Sequence, residues 1–360
     1  MTEVDIILPR KNFNVEIHEN FSDGITGIYG PSGSGKTSLL HTISGLAKPE
    51  MGHISINGRT VYDSHKNINV PVEKRNIGYV FQEGRLFPHI SVEKNLLYGL
   101  KKNGRNKIGF KEVVDLLNLG HLLQSKPSQI SGGERQRTAL GRSLLSSPEI
   151  LLLDEPFSAV DVRLRNQILP FIIRIQKKVN IPILVVSHDL PDLLKLSNTL
   201  CIIKNGRCIG HDEYYDLLKI KALSEIIFSN SLVNSITMKV IRTGPENGLT
   251  VLSRGDERNK VKVKCEKSKG IYKEGQEIKI FINADDIAIS SEKLNNVTIQ
   301  NQVEGIITDI ISRNGSLLCI VDTGFKLVVE ITTESQKRMK INKGSKIWCL
   351  FKSVAIDVAG

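Results

Sequence analysis

Cysteine, aromatic residues and long apolar runs are all scarce in this chain, and each scarcity removes a class of protein. The five cysteines among 360 residues (Cys201, Cys208, Cys265, Cys319 and Cys349) include no C-x-x-C pair. An odd number so spaced excludes a disulfide framework or a zinc ribbon as the organising device and fits scattered reduced thiols. No uninterrupted apolar stretch approaches the roughly 18 residues that a membrane helix needs, so no helical membrane domain is expected. The start, Met1-Thr2-Glu3-Val4-Asp5, lacks the basic-then-apolar pattern of a secretory leader, and the expected location is cytoplasmic. Aromatic residues make up only 5%, which leaves few stacking platforms for single-stranded nucleic acid. Nor is the formal charge of +11 gathered into a block. Residues 231–295 hold 12 basic and 9 acidic side chains, residues 296–360 hold 8 and 6, and the first 230 carry the remaining +6. Charge spread this thinly argues against nucleic acid as a partner and gives mild help for docking to an anionic membrane surface.

The length predicts two or three domains with full cores. In the first 230 residues, β-branched runs at 53–61, 77–82, 149–153 and 181–187 alternate with helical patterns, as an α/β nucleotide-binding layer requires. Near its end, Leu200–Lys204 and Arg207–Ile209 flank Asn205-Gly206, a two-residue hairpin signal that predicts an antiparallel edge. Between about 88 and 147 the pattern turns helical, with i, i+3, i+4 apolar spacing over 110–119, and predicts an inserted helical subdomain. From about 233 short alternating segments recur to the C-terminus, which predicts an all-β, OB-like barrel. We divide the chain at 230 and again at 295, taking 231–295 as a linker with a first β segment and 296–360 as a barrel module. Ile282–Ile289 and Leu350–Ile356 both end barrel-like runs and carry a weak signal of half-repeats.

Gly30-Pro31-Ser32-Gly33-Ser34-Gly35-Lys36-Thr37-Ser38 follows the apolar run Ile25–Tyr29 and opens a helix. Such a glycine-rich loop lets backbone N–H groups converge on phosphate oxygens at a helix N-terminus. Lys36 then reaches the outer phosphates and the Thr37 hydroxyl serves as a Mg²⁺ ligand. Downstream, Ile150-Leu151-Leu152-Leu153-Asp154-Glu155 reads as a buried strand ending in two carboxylates: Asp154 for the Mg²⁺ shell, and Glu155 to orient and deprotonate an attacking water.

Ile130-Ser131-Gly132-Gly133-Glu134-Arg135-Gln136-Arg137 precedes this strand. It resembles the signature of the ATP-binding cassette ATPases, with Ile130 for the usual leucine and Glu134 for the common glutamine. The resemblance implies a P-loop fold with a helical subdomain, working as a head-to-tail homodimer. In it each ATP lies between one subunit's P-loop and the other's Ser131, Gly132, Gly133, Glu134 and Asp161. It implies further that Gln82 touches Mg²⁺ or the attacking water and senses a membrane partner, and that His188 contacts the terminal phosphate. The aromatic that commonly stacks on adenine has no clear counterpart, Phe13 aligning better with a packing position.

With the C-terminal part included, the chain is similar to the ATPase subunits of solute importers, and 296–360 to the molybdate-binding barrel of molybdate importers. The implied function is hydrolysis of ATP to drive uptake of molybdate or a related oxyanion through a membrane permease fed by an external binding protein. The implied place is the cytoplasmic face of the membrane. Thr298, Gln300, Asn301, Lys352 and Ser353 are the candidate contacts for molybdate or tungstate in the barrel, with Gln300 where arginine is usual. An importer of sulfate, iron, polyamine or sugar is the alternative reading, and a nucleic-acid-associated ATPase switch a more distant one.

Overall fold

The computed structural model describes residues 1–100, 108–197, 199–220, 223, 226–227, 232–244, 249–254, 260–264, 272–313 and 315–359. The chain divides into two compact units, Met1–Leu217 and Leu218–Gly360.

The first unit is built on an 11-stranded sheet. Its strands are β1 (Thr2–Pro9), β2 (Asn14–Phe21), β3 (Ile25–Tyr29), β4 (Met51–Ile56), β5 (Arg59–Asp63), β6 (Ile68–Asn69), β7 (Ile77–Val80), β8 (Ile150–Asp154), β9 (Ile183–Val186), β10 (Thr199–Lys204) and β11 (Arg207–Glu213), in spatial order β6-β5-β4-β1-β2-β11-β10-β3-β9-β8-β7. From β10 to β7 successive neighbours run parallel. Every residue of β8 and β9 is buried, as expected for parallel strands covered on both faces. In β1, by contrast, burial alternates along the strand. Helices α1 (Lys36–Ser44), α5 (Val162–Val179), α6 (Leu190–Leu196) and α7 (Tyr214–Leu217) belong to this layer, whereas α2 (Val92–Tyr98), α3 (Phe110–Leu116) and α4 (Gly132–Leu145) lie between β7 and β8. Among the described residues that interval contains no strand, as the helical pattern predicts.

Three expectations change. The run at 53–61 is two strands, because Asn57 (φ 50°) and Gly58 (φ 77°) turn the chain back between β4 and β5. The pattern at 110–119 stops as a helix at Leu116, since Asn118 takes a left-handed φ of 48°. The Asn205-Gly206 hairpin forms, but not at an edge: β10 lies beside β3 and β11 beside β2, so the hairpin joins the antiparallel and parallel halves of the sheet.

The second unit holds two five-stranded sheets and a shared core. Its strands are β12 (Val233–Gly244), β13 (Leu249–Ser253), β14 (Val261–Lys264), β15 (Glu277–Asn283), β16 (Ala288–Ser290), β17 (Asn301–Arg313), β18 (Ser316–Asp322), β19 (Lys326–Thr332), β20 (Lys346–Phe351) and β21 (Asp357–Ala359), with a helix at Thr333–Met339. The sheets are ordered β14-β13-β12-β15-β21 and β16-β20-β17-β18-β19, so each half of the unit gives its last strand to the other half's sheet. One apolar cluster, from Ile236 to Ile356, draws on both. The halves repeat in detail. β15 and β20 each lead through a short 3-10 turn (Ala284–Asp286, Ser353–Ala355) into the exchanged strand, and the pairing bulges once after Val240 and once after Ile307. Residue 295 therefore falls within an interlocked pair, and Cys265 lies outside the described residues.

Candidate nucleotide site

The loop between β3 and α1 passes so close to β10 that a Cβ on Gly30 (φ 153°) would sit 2.0 Å from the Ile203 carbonyl oxygen, which only glycine avoids. Its lysine folds back over it: Lys36 Nζ donates to the carbonyls of Gly30 and Pro31, each at 2.8 Å. Burial pushes this ammonium below its ordinary pKa, against the pull of Glu155 and Asp154. The Ser34 hydroxyl is buried with no hydrogen-bond partner among the described residues. At the other end of α1, Gly45 closes the helix with φ 85°, and the buried Arg75 donates to the carbonyls of Thr42 (3.1 Å), Ile43 (2.8 Å) and Val70 (2.9 Å) and to Asn69 Oδ1 (3.0 Å). A guanidinium thus adds donors at the helix end, where the Thr42 carbonyl also accepts from Gly45 N.

Strand β8 brings the predicted carboxylates to this loop. Thr37 Oγ1 donates to Asp154 Oδ1 at 3.1 Å and Tyr79 Oη to Oδ2 at 3.3 Å. Burial raises the pKa of Asp154 against both bonds, and that of Glu155 against the interactions of His188. Glu155 has a left-handed φ of 49°, and its Oε2 lies 2.8 Å from His188 Nδ1. The next residues are tied to α4 through Gln136, whose Nε2 donates to the Glu155 carbonyl at 2.7 Å and whose Oε1 accepts from Ala159 N at 3.2 Å. Neither Gln136 nor Arg75 stood out in the sequence, because most of their partners are backbone atoms, several of them in distant segments.

Ser131 caps α4 in a reciprocal box: its hydroxyl accepts from Glu134 N (3.3 Å), and Glu134 Oε2 accepts from Ser131 N (2.7 Å). That backbone bond, opposed by burial, holds the Glu134 carboxyl below its ordinary pKa. Gly133 abuts the loop after Glu155, since a Cβ there would lie 2.6 Å from the Ala159 carbonyl oxygen. Asp161 caps α5 by accepting from Leu164 N at 3.1 Å. A cavity of about 400 Å³ opens between the two caps, lined by Ser131, Gly132, Gly133, Glu134 and Asp161 among others. Among the described residues, no hydrogen bond of Ser131–Glu134 reaches the P-loop.

Gln82 is exposed just past β7, where Arg85 stacks on Phe81 at 4.3 Å. Asn95 of α2, wholly buried, ties the following loop through Phe87 N (2.9 Å) and O (3.1 Å). Next to Phe87, Tyr98 is 70% exposed. Phe13 packs against the core of the sheet, as expected of a packing residue. Its ring approaches the Cβ direction of Gly35 at 3.5 Å and borders an open cavity with Asn14, Lys204, Asn205 and Arg207.

In the second unit the candidate oxyanion residues take different partners. Asn301 is buried and spans to β14, donating to the Lys262 carbonyl at 2.9 Å and accepting from its N–H at 2.6 Å. Ser353 Oγ donates to Gln300 Oε1 at 2.8 Å, while Thr298 and Lys352 are exposed. Ser353 also lines a cavity of about 140 Å³ with Lys264, Tyr272 and Asp357.

Residues 11–158 match the family model described as ABC transporter. The chain is 31% identical to the molybdenum import ATP-binding protein ModC of Paramagnetospirillum magneticum, over 100% of this chain and 99% of that protein. It is 34% identical to ModC of Haemophilus influenzae, over 92% and 93% respectively. Among solved structures, a dimeric bacterial ABC transporter cassette aligns with TM-score 0.51 and 25% identity, covering 59% of this chain and 98% of that one.

Proposed function

The chain belongs to the family of molybdenum import ATP-binding proteins, and on that premise we propose that it is the ATP-hydrolysing subunit of a molybdate importer, seated on the cytoplasmic face of a membrane permease. The observation that carries the reading is the convergence of the P-loop on β8: Lys36 and Thr37 stand beside Asp154, and Glu155 is held by His188. Lys36 exchanges the carbonyls of Gly30 and Pro31 for the outer phosphates of ATP, joined by the loop N–H groups from Gly30 to Ser38. Phe13 stacks on the adenine.

The paired oxygens of Thr37 and Asp154 are the hard donors that suit Mg²⁺, and the buried Asp154 carboxylate gains from a cation; Gln82 completes this set. When bound, the ion neutralises charge on the phosphate oxygens. Glu155 takes a proton from the attacking water, and His188 steadies the terminal phosphate. The signature cavity beside Ser131 closes the site of a second subunit, so hydrolysis needs a homodimer, and ATP drives its closure. The loop after Gln82, pinned by Asn95 and flanked by Tyr98, receives the permease. An external solute-binding protein supplies molybdate, and the cavity beside Ser353 and Lys264 offers molybdate or tungstate a weak site, Gln300 adding no charge.

The test is uptake in vesicles that carry the permease and its binding protein. Molybdate accumulation should require both this chain and ATP. Accumulation of sulfate or another solute in its place would overturn the choice of cargo.

A further inference from the structure

The hairpin that supports the P-loop carries two cysteines in contact. Cys201 of β10 and Cys208 of β11 lie with their sulfur atoms 3.3 Å apart. Cys201 is wholly buried beside β3, in register with Ile28, so no solute reaches it directly. Cys208 is half-buried and lines an open cavity of about 240 Å³ together with Glu16, His18, Glu19 and Arg207. The Glu19 carboxylate lines the same cavity as this thiol and lies 2.7 Å from His211 Nδ1. Against the burial that would raise it, His211 holds the Glu19 carboxyl below its ordinary pKa, so an ionised carboxylate shares the cavity with the accessible thiol. Cys201 is held protonated by its hydrogen bond with Cys208 and by burial.

The same hairpin braces the phosphate loop. Gly206 N donates to the Ser34 carbonyl at 2.8 Å, Glu16 N donates to the Gly206 carbonyl at 2.8 Å, and the Ile203 carbonyl fills the space beside Gly30. A disulfide sets its sulfurs about 2.05 Å apart, so closing this pair moves them together by roughly 1.2 Å on a hairpin whose turn holds the P-loop.

We propose that Cys201 and Cys208 are a modification site: a hydroperoxide converts them to a reversible disulfide, and the closed form binds ATP more weakly. The Cys208 sulfur, giving its proton to Glu19, attacks the peroxide; an S–O bond forms, the O–O bond breaks, and the departing oxygen takes the proton from Glu19 and leaves as water or alcohol. The Cys201 sulfur then attacks Cys208; the S–S bond forms, the S–O bond breaks, and the hydroxide leaves as water with the Cys201 proton. Two electrons pass from the sulfurs to the peroxide, and no other reactant is needed. The proposal rests on the P-loop as the ATP site.

The experiment uses the full chain, with hydrogen peroxide as oxidant. Lys204 and Arg207 lie between the two cysteines, so trypsin separates them and a linked peptide reports this pair and not Cys319 with Cys349. We expect the linked peptide to form, the Kd for ATP to rise about fivefold or more, the lower range of coupling between linked sites, and dithiothreitol to restore both. Cys201→Ser and Cys208→Ser should each keep their ATP affinity through the same treatment. By reciprocity, ATP should shift the thiol–disulfide balance toward the reduced form by the same factor. Two free thiols after oxidation, over-oxidation of Cys208 without linkage, or a linked chain with unchanged Kd would each overturn the proposal. The linked-peptide readout needs no variant, so a variant that fails to fold does not blunt the test. Failure of the reduced chain to bind ATP would instead overturn the nucleotide site itself.

Discussion

The two units spend their polar side chains differently. In the first, the chemically active groups stand on loops beyond the ends of buried parallel strands: Glu155 follows β8 in a left-handed conformation and His188 follows β9 with its side chain 70% exposed. In the second, amides turn inward and recur at matching places. Asn234 of β12 bonds Val328 of β19 through both its N–H (2.6 Å) and its carbonyl (2.8 Å), and Asn301 of β17 bonds Lys262 of β14 in the same manner. The comparison teaches that residue type alone does not separate a ligand from a brace. A polar residue repeated in a duplicated frame, with both faces of its amide engaged, holds the frame together.

The largest effect that would break this contrast is at Glu155. Glu155→Gln keeps the shape and removes the base, so ATP hydrolysis should fall by about 10²–10⁴-fold while ATP binding persists. A nucleotide-bound dimer should then accumulate, visible by light scattering. Near-wild-type turnover with only monomer present would show that this loop carboxylate is not the base.

Arg75 blurs the contrast from the other side, since it is a buried brace within the nucleotide unit. Arg75→Ala removes the donor to the Ile43 and Val70 carbonyls and to Asn69 Oδ1, and we expect a loss of about 3 kcal/mol of stability. Thermal unfolding with and without ATP measures it. An unchanged midpoint would mean that water replaces the guanidinium at no cost.

Arg75 also marks where the sequence was silent. The P-loop, the carboxylates and the signature were legible because their chemistry demands contiguous residue types. Arg75 acts on carbonyls some 32 positions away in sequence, and no residue type at those carbonyls announces it. Asn205-Gly206 is legible as a turn, yet the same dipeptide at 57–58 sits inside a run whose apolar residues continue on both sides and mask the turn. The barrel was legible as alternation, but the exchange of β16 and β21 was not. Short strands of three residues carry no mark of the sheet they join, and only the weak echo of Ile282–Ile289 in Leu350–Ile356 hinted at duplication.

The asparagine pair sharpens the comparison within the second unit. Asn234→Ala should cost about 2 kcal/mol, because it leaves a buried backbone N–H and C=O unpaired, and Asn301→Ala about 1 kcal/mol, because its partners are only part-buried. The single tryptophan, Trp348 on β20, reports urea unfolding of this unit. Were Asn301 chiefly an oxyanion ligand, its alanine variant would keep the unfolding midpoint and lose molybdate binding.

The smallest expected effect lies in the pH profile of hydrolysis. Burial raises the Glu155 pKa, while the charge and hydrogen bond of His188 lower it again. The base acts only as a carboxylate, so the rate must fall as pH drops through the raised pKa, and activity at higher pH is unaffected by this group. Removing the histidine removes a lowering influence. His188→Ala should therefore move the acid limb of the profile to higher pH, and His188→Gln, which keeps a donor without the charge, should move it less. The midpoint of the limb is the readout, because loss of a contact to the terminal phosphate lowers the height of the profile and not its position. An acid limb that stays in place or moves to lower pH in His188→Ala would mean that the pairing at 2.8 Å does not set the ionisation of the base.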